Sequence, residues 1–291
     1  MPDGTEPSDS PTRSGPASEA ASSELGSPRS PLSEPFSEPF SEIVRLSRID
    51  STNRYACDAA ETGAAHGLVV IADEQTAGRG RLDRRWTAPA GSSLLCSVLF
   101  RTPLEPVRLH LLPSIVALAA LDAVDDVVGY GAAIKWPNDL VVGARKLAGI
   151  LAEVVPGTGS EQRAVVVGLG LNVAWPPGWP PLGESTELDL LARRSTTLSA
   201  IAGRPVDRGQ VTESFLTALR RRHAAFLDTG DEETLRAYRR RCSTIGRDVR
   251  VLLSDEEVRG AAVDVTEDGR LLVVADGRLR AFDAGDVVHV R

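Results

Sequence analysis

Lysine is almost absent from this chain. Of 33 basic residues only Lys135 and Lys146 are Lys, and the other 31 are Arg. Two mobile ammonium groups kept eleven positions apart point to a task that a planar guanidinium performs poorly. Cysteine is also scarce. Cys57, Cys96 and Cys242 are odd in number and never in C-x-x-C spacing, which argues against a disulfide framework and a zinc site and fits a reducing cytoplasm. No apolar run approaches the ~18 residues of a membrane span, and the N-terminus has no basic stretch followed by an apolar one, so no secretory signal is expected. Neither common phosphate loop is present: no Walker A run occurs, Gly78-x-Gly80 has Asp83 where a third glycine belongs, and Gly168-x-Gly170 has Val173. The net charge of −7 disfavours a chain that coats nucleic acid.

What is there falls into three parts. Residues 1–40 hold 8 of the 19 prolines, ten serines and seven acidic residues against two arginines, so little apolar surface is available to offset ordering entropy. They read as a disordered acidic tail. Its repeat, Ser33-Glu34-Pro35-Phe36 and Ser37-Glu38-Pro39-Phe40, reads as linker or as a docking peptide. Residues 41–244 mix helical and strand patterns. A helix runs from a cap at Ser51 or Thr52 to about Thr62, and a long one over 107–128 is expected to be disturbed at Pro113. Strands are predicted at 68–71, 93–100, 132–136, 140–142, 147–155 and 165–173. Residues 175–181, Trp-Pro-Pro-Gly-Trp-Pro-Pro, form a loop. Val211, Phe215, Leu219 and Phe226 share a helical face with Arg220 and Arg221 turned to water, and a further helix begins at Asp231. In residues 245–291 the period becomes two, through Val249, Val251, Leu253, Val263, Val265 and 271–274, with turns at 267–269 and 276–277; a small barrel-like β-domain is expected.

Five short motifs carry the chemistry. Gly78-Arg79-Gly80-Arg81-Leu82-Asp83-Arg84-Arg85-Trp86 puts four arginines on a glycine-hinged loop, suited to carboxylate or phosphate and equally to a nucleic-acid backbone. In Lys135-Trp136-Pro137-Asn138-Asp139 the proline bends the chain and projects three polar side chains from a corner. Lys146-Leu147-Ala148-Gly149-Ile150-Leu151 places the second lysine at the head of an apolar strand whose glycine leaves room for a ligand. Gly168-Leu169-Gly170-Leu171-Asn172 repeats that logic with one amide, and Ser51-Thr52-Asn53 heads a helix.

Taken in order, with Gln75 before the glycine loop, these motifs resemble the biotin protein ligases over residues 43–291. Leu82-Asp83 departs from the basic residue and glycine more frequent at those places. The resemblance implies an α+β fold, with a mixed β-sheet catalytic domain flanked by helices and a small SH3-like β-barrel after it. It implies ATP-dependent formation of biotinyl-5′-AMP and transfer of biotin to a lysine of a biotin carboxyl carrier domain. Lys146, Arg79 and Arg81 are then expected to be catalytic. Biotin would be held by Ser51, Thr52, Asn53, Gln75, Gly78, Arg79, Gly80, Arg81, Lys146 and Gly149. ATP would be held by Arg84, Trp86, Lys135, Asn138, Asp139 and Asn172, with Trp175 and Trp179 as alternative stacking partners for the base. Mg²⁺ is expected to arrive on ATP, with no dedicated metal site. Asp139 would orient either Lys135 or the incoming amine. Repressor members carry an N-terminal DNA-binding domain; here a Pro/Ser-rich acidic segment stands in that place, so no DNA role is expected. A monomer and a homodimer are equally compatible. The rival enzyme is a lipoate or octanoate ligase of the same superfamily, and the rival from another class is a nucleic-acid-binding protein using residues 79–85.

Overall fold

The computed structural model describes residues 39–290, apart from 130, 158–161, 181–182, 184–185, 254 and 284. The expected tail, with its repeat as far as residue 38, lies outside the described residues. Strand β1 (Ile43–Ile49) leads to helix α1 (Thr52–Glu61), then β2 (Val69–Gln75), β3 (Ser93–Thr102) and α2 (Leu111–Val128). Four strands follow: β4 (Ala133–Lys135), β5 (Asp139–Val142), β6 (Arg145–Val155) and β7 (Arg163–Asn172). Next come α3 (Thr186–Arg194), α4 (Leu198–Ala202), α5 (Arg208–Thr229) and α6 (Asp231–Arg241). The chain ends with β8 (Asp248–Leu252), β9 (Glu257–Val265), β10 (Leu271–Ala275), β11 (Arg278–Phe282) and β12 (Asp286–His289).

The first seven strands form one mixed sheet in the order β1-β2-β3-β7-β6-β5-β4, in which only β1 and β2 pair in parallel. Alternation sorts its two faces. On β2, Val70 joins Ala56 and Ala60 of α1, whereas Val69 and Ile71 join α2 and α5 in the larger core. On β7, Val165, Val167, Leu169 and Leu171 serve that larger core, which leaves Gly168 and Gly170 on the α1 face. That face carries the site.

Helix α1 begins where Ser51 Oγ accepts from Arg54 N at 3.4 Å. Pro113 does not disturb α2: it is the third residue of that helix, where the missing N–H has no intrahelical partner to lose. A separate 3₁₀ turn at Pro106–Arg108 precedes it. On α5 the four expected apolar residues are buried, but Arg220 is not turned to water. Its Nη2 donates to Phe40 O at 2.9 Å. Phe40, placed in the tail by composition, is 1% exposed and packs edge-on to Phe100 and His223, with centroids 5.6 and 5.1 Å away. One apolar ring following a proline is enough to begin the fold, because a pocket on β3 and α5 is shaped to take it.

Strands β8–β12 form an antiparallel sheet in the order β11-β10-β9-β8-β12. Val249, Val251, Val265, Leu271 and Val273 point inward as the period of two predicts. Val263 does not, being 44% exposed. The pairing of β9 with β10 slips between Leu272 and Val273, a bulge that lets Ala262 take the inward place. Asp276 and Gly277, with φ of +50° and +73°, make the tight β10–β11 turn.

Candidate active site

The α1 face of the sheet opens into a cleft whose wall draws on every motif singled out above except Asn172. Its floor comes first. A Cβ at Gly168 would lie 2.1 Å from Asn53 Oδ1, and one at Gly170 would lie 2.5 Å from the Trp86 ring. Gly149, paired directly across from Gly170, would bring a Cβ within 3.1 Å of Trp86 and of Lys146 Nζ. The glycines therefore make room for protein side chains, and the ligand-sized gap expected at Gly149 is filled by Trp86 and Lys146. Trp86 lies flat on a glycine floor, with the Lys146 ammonium 5.7 Å from its ring centroid.

At one end, Thr52 N and Oγ1 both donate to Gln75 Oε1, at 2.8 and 3.0 Å. Ser97 Oγ lies 2.7 Å from Thr52 Oγ1 and donates to Asn53 Oδ1 at 2.6 Å. Asn53 Nδ2 donates to Glu153 at 2.8 Å and to Leu151 O at 3.2 Å. Asn53 thus braces α1 to β6 with its amide committed to the protein, while Ser51, Thr52 and Gln75 line the opening.

The glycine loop crosses above. Trp86 N donates to Gly78 O, Gly80 N to Arg84 O, and Leu82 and Asp83 make the tip with φ of +54° and +57°. Both tip residues are left-handed, which explains why glycine suits this place. Asp tolerates that conformation; Leu pays about 1 kcal/mol or more for it. Gly80 is on the cleft wall and Gly78 lies at the loop base, where a Cβ would meet Trp86 O at 2.6 Å.

Three of the four loop arginines find a partner elsewhere in the fold, and the fourth, Arg85, donates to Thr76 O at 3.1 Å. Arg79 Nη1 is 2.8 Å from Glu153 Oε1 on β6. Arg81 Nη1 donates to Asn138 Oδ1 at 3.3 Å. Arg84 forks onto Asp286 of β12, with Nη1 to Oδ1 at 3.1 Å and Nη2 to Oδ2. The carboxyl of Asp286 is held below its usual value by that arginine. Facing the loop, Lys146 Nζ is 2.6 Å from Asp139 Oδ1, so the carboxylate that sequence left between Lys135 and an incoming amine orients Lys146. The Pro137 corner is as expected: Lys135 pairs across from Asp139, and Asn138 Nδ2 donates to Ile150 O at 2.9 Å. Burial pulls the Lys135 ammonium below its ordinary value, with Asp139 and Asp286 opposing.

Asn172 is the expected site residue that the fold turns away. It is buried, donates to Thr196 O at 3.1 Å and lies 3.5 Å from Ser93 Oγ. Beside Thr196 a second hollow is lined by Arg145, Trp175, Trp179 and Thr197. There the indole N–H groups of Trp175 and Trp179 and the Thr196 hydroxyl are buried with no partner among the described residues. Sequence reasoning missed Glu153, Ser97, Cys96 and Asp286. Glu153 and Ser97 had one local signal, a polar residue inside an apolar strand; Asp286, 202 positions beyond Arg84, had none. Cys96 lines the cleft wall, and burial pushes its thiol up to about 12, so it is a neutral surface and no nucleophile.

Residues 46–172 match the biotin/lipoate A/B protein ligase family and residues 244–290 the biotin protein ligase C-terminal domain. The biotin–[acetyl-CoA-carboxylase] ligase of Mycobacterium tuberculosis is 36% identical over 84% of this chain and 88% of its own length. This chain belongs to the biotin protein ligases. The Paracoccus denitrificans biotin–[acetyl-CoA-carboxylase] ligase is 30% identical over 83% of the chain and 98% of its own. The structure of the Aquifex aeolicus biotin protein ligase in complex with biotin and ATP superposes with a TM-score of 0.70 at 25% identity, covering 87% of this ligase and all of that chain. The lipoate reading shares only the superfamily. No helix among the described residues is long and apolar enough to cross a membrane.

Proposed function

We propose that the cleft joins biotin to AMP between the glycine loop and Lys146, then passes the biotinyl group to a lysine of a biotin carboxyl carrier domain. The observation that carries this is the convergence of Arg79, Arg81 and Lys146 on one cleft whose far end holds Ser51, Thr52 and Gln75. In the first step a biotin carboxylate oxygen attacks the α-phosphorus of ATP and pyrophosphate leaves. Two like charges 4 Å apart repel by about 4 kcal/mol at an effective dielectric of 20, so fixed cations must cancel them. Arg79, Arg81 and Lys146 supply that charge, and each exchanges a protein partner, Glu153, Asn138 or Asp139, for a substrate oxygen. Lys146 follows charge from the carboxylate to the phosphate, as a mobile ammonium can. ATP enters as its magnesium complex. In the second step the carrier amine attacks the anhydride carbonyl, the bond to the phosphate oxygen breaks, and AMP leaves.

At the other end Gln75 Oε1 is fixed by its two Thr52 donors, which leaves its NH₂ group for the ureido oxygen, with Ser51 and Thr52 beside it. For ATP, Lys135 and Asn138 flank the phosphates; the indoles of Trp175 and Trp179, unpartnered among the described residues, offer the base a hollow, and Trp86, whose indole N–H is likewise unpartnered, lines the cleft itself. The carrier assignment rests on the acetyl-CoA-carboxylase named for the mycobacterial relative. The test is ATP–pyrophosphate exchange with biotin, lipoate and octanoate. Exchange is expected with biotin alone, because the other acids leave the polar end of the cleft unpaired. Equal exchange with lipoate would overturn the ureido assignment.

A further inference from the structure

Three of the loop's arginines reach across to other parts of the fold, and they differ in what substrate does to their contacts. Arg79 and Arg81 hold residues of the catalytic sheet and its corner, Glu153 and Asn138, and are the groups that turn to substrate in the function proposed above. Arg84 holds Asp286, which belongs to the C-terminal sheet, through both oxygens of the carboxylate. A guanidinium committed as a fork to one carboxylate has lost the geometry to clasp a phosphate as well. While that fork holds, Arg84 is not free to serve as the expected ATP ligand.

Asp286 is also a fixed post. It opens β12, paired across from Leu252 of β8. Further along that strand His289 Nε2 is 3.0 Å from Thr244 Oγ1, which accepts from Trp136 N at 3.0 Å. Trp136 Nε1 reaches back to Gly269 O, also at 3.0 Å. The C-terminal sheet is thus bonded to the corner that carries Asn138, and cannot swing away with the loop. The glycines at 78 and 80 make the loop the element suited to move, with Arg84 just past its exposed tip at Leu82.

We propose that Asp286 is a positioning residue that latches the glycine loop, through Arg84, over the acyl-adenylate during the interval between activation and transfer. This rests on the biotinyl-adenylate reading of the cleft. A latch on the loop tip acts on escape of the intermediate more than on the chemistry of activation. The reactive anhydride stays enclosed until a carrier lysine arrives. The small domain thereby has a part in retaining the intermediate, performed by one carboxylate.

The experiment uses the full chain, loaded with biotin and ATP labelled at the α-phosphate, and follows the rate at which labelled adenylate passes a filter. ATP–pyrophosphate exchange is measured in parallel. In Asp286→Asn, which keeps the shape and removes the charge, release is expected to be about twofold to fivefold faster, the range an exposed ion pair supports. Exchange, which Asp286 reaches only through its charge near Lys135 and Arg81, should change by a smaller factor than release does. Asp286→Glu should restore slow release, and 0.5 M salt should speed release from the wild type to that of Asp286→Asn. Equal release from the wild type and Asp286→Asn overturns the latch, and so does a change in exchange as large as the change in release. If Asp286→Asn does not fold, the wild type decides: release that ignores salt overturns it. A wild type that shows no biotin-dependent exchange refutes the reading of the cleft, a different outcome from failure of the latch.

Discussion

Alanine at Gly170 is the smallest change that tests the floor of the site. One methyl group there would stand 2.5 Å from Trp86 Cε2 and 2.8 Å from two further ring atoms. A carbon–carbon contact settles near 3.5–4.0 Å, so something must move by about 1 Å. The strand cannot, because Gly170 is paired with Leu95 on one side and Gly149 on the other, in the middle of the sheet. The ring must move instead. Trp86 closes the loop through its N–H to Gly78 O, and it underlies Lys146, so the displacement reaches both the hinge and the catalytic ammonium. Overpacking of this kind costs about 1–3 kcal/mol, and at about 2–4 °C per kcal/mol for a chain of this size the melting temperature should fall by roughly 2–12 °C. Biotin-dependent exchange should fall tenfold or more, with a shift in tryptophan fluorescence. If Gly170→Ala melts within 1 °C of the wild type and exchanges normally, Trp86 does not lie on the glycines and the described floor is wrong.

Lys146→Arg keeps the charge but replaces a mobile ammonium with a fork, and should lose at least tenfold in exchange; near-normal activity would reject the bridging role. Limited proteolysis should cut within residues 78–86 faster without biotin than with it, and equal cutting in both states counts against closure on ligand. His223 is neutral in the fold, its value pushed down to about 4 by burial and by the neighbouring His66. A folded value below the unfolded one near 6.5 means that stability is complete above pH 6.5 and is lost as pH falls toward 4. The aromatic pocket around Phe40 should therefore loosen in mild acid. Melting temperatures across pH 7 to 4 should fall less steeply for His223→Leu than for the wild type, and parallel curves would refute the assignment.

What the order of residues determined here is local. Ser51 caps a helix because its hydroxyl reaches an N–H three residues on. Pro137 bends the chain because it cannot continue a ladder. The two turns of the C-terminal sheet follow from glycine's freedom at positive φ. The retained lysines and the loop arginines marked the cleft for the same reason, since an ammonium or a guanidinium has few uses that a short motif does not reveal. Tertiary structure decided what depends on partners far along the chain. Glycines that read as space for a ligand are filled by Trp86, Asn172 turns inward to Thr196, and Phe40 leaves an acidic tail for a pocket of rings. Arg79, Arg81, Arg84 and Lys146 acquire their carboxylate or amide from elsewhere in the fold, in one case 202 residues away. Spacing encodes the reach of the backbone over one turn or one hairpin; which charges meet across a closed sheet is fixed only when burial and strand pairing have set the elements side by side.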